Sequence, residues 1–110
     1  MSVFEKWSLG LENRDADVLA TCMHDDYVFV RHQSGTTMNK TETVEMLRAF
    51  LASEQVVQES RRCLYENEDV LVEHIVMSFA DGTKEAVIGF NRLQDGLIIH
   101  TETGATPIKG

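Results

Sequence analysis

Residues 70–102 fall within the text DVLVEHIVMSFADG, TKEAVIGFNRLQDG, LIIHTETG, three runs rich in Val, Ile, Phe and Thr cut by Asp81-Gly82 and Asp95-Gly96. Such a pattern predicts two consecutive antiparallel hairpins. In the first run Leu71, Ile75, Met77 and Phe79 share one face and Val72, His74, Val76 and Ser78 the other. Both faces are too apolar to be left in water, so the sheet is expected to be covered on both sides. Upstream the period changes. Ser2-Val3-Phe4-Glu5 fits a capping box, and Phe4, Trp7 and Leu11 recur at helical spacing, which predicts a helix over residues 3–13. Asp15 or Asp17 can cap a short second helix that buries Val18, Leu19, Cys22 and Met23 and stops near His24-Asp25-Asp26. YVFVRH, residues 27–32, reads as a strand; Gln33-Ser34-Gly35 turns it, and residues 36–38 pair back briefly. A third helix over 41–52, capped by Asn39 or Thr41, carries Val44, Met46, Leu47, Phe50 and Leu51 on its apolar side. Residues 56–66 read as a long, partly exposed strand, Asn67-Glu68-Asp69 as a turn, and ATPIKG as a loose extension of the last strand.

Composition narrows the function classes. At 110 residues the chain has the size of a single domain, 1–110, and 43% apolar with 25% charged residues is ordinary for a globular protein. Ten basic against eighteen acidic residues give a net charge of −8. A field of that sign repels phosphate backbones and anionic lipid, so neither nucleic acid nor a membrane surface is expected as a partner. No stretch approaches the roughly 20 apolar residues of a membrane span, and the N-terminus lacks the apolar core of a signal peptide; the expected location is the cytoplasm. Cys22 and Cys63 are then expected as reduced, packed thiols.

The order helix, helix, strand, short strand, helix and four strands resembles the nuclear transport factor 2-like, or cystatin-like α+β barrel, superfamily. The blocks ENRDADVLATCMHDDYVFV, NKTETVEMLRAFL and FNRLQDGLII resemble its SnoaL-like and ketosteroid-isomerase-like branch. The resemblance covers about residues 3–103. It implies an α+β fold in which a curved mixed or antiparallel sheet of about six strands wraps three N-terminal helices as a cone-shaped barrel. It also implies a hydrophobic pocket inside and a homodimer through the outer sheet face.

Carried residue by residue, the isomerase branch's carboxylate base falls on Arg31, its acidic donor on Gly89 and its tyrosine on Trp7. None of these side chains can fill the matching role, since a guanidinium does not abstract a proton from carbon, glycine has no side chain, and an indole only donates. The cyclase carboxylate position on the last strand falls on Thr101 or Thr103. By the same alignment Tyr27, Phe29 and Arg31 face the pocket, and Glu73 joins Leu71, Ile75 and Met77 inside. Arg31 and Glu73 therefore read either as a structural ion pair or as an anion-recognising Arg31 with Glu73 as acid or base. Trp7, Phe29, Phe50 and Met77 either line a ligand site or meet in the middle and fill it. A one-residue change of register would instead gather His74, His100 and Glu102 on the inside as an acid/base or metal-like cluster. His32 is expected to face away from Arg31, at the mouth or outside. His24-Asp25-Asp26 is consecutive and points apart, so no metal is assigned, and no cofactor is expected. Arg61 and Arg62 are expected to offset Glu59 and Glu66 across the sheet.

Together these point to a pocket for a small, mostly apolar molecule with an anionic or carbonyl group. Acid/base isomerisation, cyclisation or dehydration at a non-standard site is one reading. A non-catalytic ligand-binding or dimerisation module is the other.

Overall fold

The computed structural model describes residues 1–53 and 56–109. Helix α1, Val3–Glu12, begins as a capping box: Ser2 accepts from the Glu5 amide and the Glu5 carboxylate accepts from the Ser2 amide. Asp15 caps α2, Ala16–Thr21, accepting from the amides of Asp17 and Val18. Asn39 and Glu42 make a second capping box for α3, Lys40–Ala52. The strands are β1 Met23–Val30, β2 Thr37–Asn39, β3 Val57–Glu66, β4 Val70–Ser78, β5 Lys84–Gln94 and β6 Leu97–Ile108. Among the described residues no helix is long and apolar enough to cross a membrane.

The six strands form one mixed sheet in the order β2-β1-β6-β5-β4-β3. Every pairing is antiparallel except that of β1 with β6. The sheet stays open, with β2 and β3 as its free edges, and forms the curved cone that the resemblance implies. Curvature comes with bulges in the pairings of β1, of β3 against β4 and of β5 against β6. The hairpin after β5 turns through Asp95 and Gly96, both at positive φ (55° and 77°), the conformation that a two-residue primed turn demands.

Several boundaries differ from those the local pattern predicts. The second helix ends at Thr21, and Met23 through Asp26 already belong to β1. The Ile98 amide donates to the Cys22 carbonyl, so β6 seizes the backbone at a point where local pattern still favours helix. The tail is not loose: Lys84 pairs with Ile108, and β6 pairs along the length of β5, while Gly110 lies outside the described residues. Cys22 is buried, but Cys63 is exposed on the edge strand β3 and not packed.

Two apolar clusters hold the helices on the concave face. Met23, Tyr27, Leu71, Leu93 and Ile98 join the narrow end of the cone to Val3, Phe4 and Trp7. Ala16, Leu19 and Leu51 tie α2 to α3, with Trp7, Leu11, Leu47 and Phe50 packed against them. Gly10 is where α1 meets α2: a Cβ there would lie 2.6 Å from Leu19 Cδ2. Leu19 is completely buried and has no room to yield. Gly10→Ala is therefore expected to destabilise the fold by about 1–3 kcal/mol despite alanine's better helix propensity, seen as a lower urea midpoint.

Candidate functional site

Between the concave face of the sheet and the helices lies a cavity of about 420 Å³. Its walls are chiefly apolar: Trp7 and Leu11 from α1, Met46, Leu47 and Phe50 from α3, Phe29 from β1, Ile75 and Met77 from β4, and Val87 from β5. Trp7, Phe29, Phe50 and Met77 thus stand round the space rather than filling it. A second hollow of about 510 Å³ lies where α1 and α3 face β3 and is edged by Glu12, Arg14, Glu59 and Arg61. The cone cavity is the better candidate because apolar walls around a few convergent polar groups are what a small-molecule site requires.

Three buried polar groups of the cone form one connected chain. Glu73 on β4 is 7% exposed, Asn91 on β5 3% and Thr101 on β6 8%. Glu73 Oε1 accepts from Arg61 Nη2, whose other terminal nitrogen, Nη1, donates to Ser8 Oγ at 2.5 Å. The Arg61 guanidinium also stands 4.9 Å over the Phe4 ring. Asn91 Nδ2 donates to the Leu71 carbonyl at 3.1 Å and to Glu73 Oε2 at 3.4 Å. Thr101 Oγ1 donates to Asn91 Oδ1 at 2.7 Å. Burial pushes the Tyr27 phenol up to about 12, against a hydrogen bond with Thr101 and with help from the Glu73 charge.

The expected Arg31–Glu73 pair is not formed. Glu73 is held by Arg61, while Arg31 sits exposed at the cavity rim, one residue past the end of β1. Its backbone closes the turn, donating to Thr36 O and accepting from Gly35 N, and its guanidinium has no partner among the described residues. Arg61 does not offset Glu59 or Glu66 as expected. Instead Lys84 pairs with Glu59, and Glu66 accepts from the Val3 amide at 3.1 Å. The alternation of β3 carries the signal for Arg61, because it pairs opposite Ile75 and so shares the concave face. Asn91 is a site residue that sequence reasoning passes over, although it stands two residues beyond Gly89 on that same face.

Gly89 pairs with both Glu73 and Thr103. A Cβ at Gly89 would lie 3.5 Å from Glu73 Oε2, so the bare backbone there leaves that oxygen uncovered. Thr101 and Thr103 line the cavity, and His32 Nδ1 lies 2.7 Å from Thr103 Oγ1, which places His32 at the mouth of the cavity. The alternative register is not adopted. His74 lies on the opposite face of β4 from Glu73, and its Nδ1 is buried without a partner among the described residues. His100 and Glu102 pair with each other, Nε2 to Oε2 at 3.3 Å, and neither lines the cavity.

An open, curved six-stranded sheet clasping three helices around an inner cavity is the nuclear transport factor 2-like architecture. The SnoaL-like domain family matches residues 4–101, and the chain belongs to that family. An NTF-2-like protein of unknown function from Burkholderia xenovorans LB400 superposes with a TM-score of 0.79 at 15% identity, over 98% of this chain and 84% of that one. A steroid delta-isomerase from Pseudomonas aeruginosa gives 0.75 at 17% identity, over 96% and 78%. An NTF2-like protein of unknown function from Mesorhizobium loti gives 0.76 at 14%, over 94% and 88%. At these identities the likeness establishes the fold alone. No curated protein matches the chain in sequence.

Breaking the polar chain at either end has a measurable cost. Arg61→Met strands a buried carboxylate and is expected to cost about 3–5 kcal/mol, of which adding Glu73→Gln recovers a large part; urea denaturation of the single and double variants measures the coupling. Tyr27 keeps its proton in the folded chain above the usual value of 10, at which the unfolded chain releases it. The folded state then binds more protons between about pH 10 and pH 12, so stability falls as pH rises through that window. Tyr27→Phe is expected to flatten that slope, read as unfolding free energy against pH.

Proposed function

We propose that this SnoaL-like protein binds a small, mostly apolar molecule carrying an anionic or carbonyl group, its body in the cone cavity and its polar group at Arg31. The observation that carries the reading is a ligand-sized apolar space whose rim holds a cation with no partner among the described residues. An unpaired guanidinium beside apolar walls offers a carboxylate both charge and a fork of donors. The −8 net charge of the chain disfavours anions generally, so selection of one rests on this local cation.

Glu73 Oε2 is the group through which acid/base chemistry would run, as in an isomerase, cyclase or dehydratase of non-standard site. Binding without turnover is the second reading, and one feature favours it: both Glu73 oxygens already accept a hydrogen bond, so a ligand proton would compete with Arg61 and Asn91. The convex face supports a homodimer in either case. Ile88 and Phe90 are 48% and 41% exposed there, opposite His74 and Val72 on β4, and no helix among the described residues covers them.

Native mass spectrometry of the purified protein tests both parts, with a dimer mass and a co-purified small acid as the expected result. For titration, Trp7 is the only tryptophan and lines the cavity, so its fluorescence reports occupancy. Arg31→Ala is expected to weaken decanoate binding by about tenfold or more at an unchanged urea midpoint. Unchanged decanoate affinity in that variant removes Arg31 from the reading.

A further inference from the structure

At the inner end of the cavity most polar protons are committed. Asn91 Nδ2 faces the Leu71 carbonyl and a Glu73 carboxylate oxygen, two groups that only accept, so this end of the amide is the NH2. Asn91 Oδ1 then takes the single proton of Thr101. Tyr27 is the exception. Its side chain lines the cavity and the residue is only 4% exposed, yet no group among the described residues accepts its proton. The Thr101 contact favours the phenolate, as a donor does, so Thr101 is not that acceptor.

A phenol donor packed among Met23, Leu71, Leu93 and Ile98 lacks a partner until an acceptor enters the cavity. We infer that Tyr27 is a second anchor of the cavity, donating a hydrogen bond to an acceptor oxygen at the end of the ligand remote from its acid group. This rests on the reading that the cavity binds a small acid at Arg31, and it narrows that reading. Tyr27, Phe29 and Arg31 all line the cavity from one face of the first strand, so Phe29 walls the path between the two anchors. Four residues of extended chain set the Cα atoms of Tyr27 and Arg31 about 13 Å apart.

The ligand class that fits is a straight-chain oxo acid, with its carboxylate at the rim, its apolar chain along Phe29 and its carbonyl oxygen at the inner end. The site reads the position of the carbonyl as well as its presence. A carbonyl close to the carboxylate would lie beside Arg31 and Phe29 and leave the Tyr27 proton unpaired, which in a buried site costs affinity.

The test titrates wild type and Tyr27→Phe, by Trp7 fluorescence and by calorimetry, with three probes: decanoate, decanoate with a ketone on its penultimate carbon, and the isomer with the ketone on its fourth carbon. The two ketones share one composition and differ only in reach. In wild type the penultimate ketone is expected to bind about tenfold more tightly than its isomer, and Tyr27→Phe is expected to bring the two together. Equal affinities or the reverse order in wild type, or a difference that survives in Tyr27→Phe, overturn the Tyr27 anchor, while decanoate binding in the same titrations leaves the acid-binding cavity intact. The wild-type comparison stands whether or not the Tyr27→Phe chain folds. Failure of all three probes to bind wild type overturns the cavity reading itself, and the narrower inference with it.

Discussion

Glu73 sits on the inner face of an apolar cone, and an unpaired carboxylate at such a place would cost several kcal/mol in lost hydration. Arg61 supplies the counter-charge from the edge strand, and in doing so it draws in α1 through Ser8 and the Phe4 ring. The other Glu73 oxygen takes Asn91, which takes Thr101. One buried charge therefore links β3, β4, β5, β6 and the first helix. Its second consequence concerns the cavity: with the counter-ion supplied from β3, the cation on β1's end is released from any structural duty and stands at the rim.

The cavity depends equally on how the sheet is bent. Ile98 and Thr101 both line it although they are three residues apart, which strict alternation forbids. The pairing of β5 with β6 skips Ile99, and that bulge restores Thr101 to the concave side. The parallel contact of β1 with β6 similarly shifts register between Met23 and Val28, so that Met23 and Tyr27 are both buried while Asp25 and Asp26 point out. Without these irregularities the sheet would be flatter and its polar residues scattered over both faces.

Rim and interior differ in chemistry. Arg31 and His32 project from the turn that follows β1, whereas in the interior Thr101 donates to Asn91 and Asn91 to Glu73. This SnoaL-like chain has a guanidinium at Arg31 and no side chain at Gly89, so neither position offers a carboxylate. Fold and site chemistry vary independently on this scaffold.

The caps at Ser2, Asp15 and Asn39, the Asp-Gly turns, the helical stripes and the strand order are all readable locally, because each is decided by residues within one or two turns of chain. From these, and from the resemblance, the family and the cone follow. The local text also puts Tyr27, Phe29, Glu73 and Thr101 within reach of one face. It does not assign partners: Arg61 rather than Arg31 holds Glu73, and Asn91 joins them, because these contacts form across a curved surface between residues 12 and 18 positions apart. Nor can it choose between Glu73 and the His74, His100, Glu102 set, since one bulge exchanges them. The residue types on each strand belong to the sequence alone; which of them meet depends on strand pairing and bulges, which are set by long-range backbone hydrogen bonds and by the need to keep a buried charge paired.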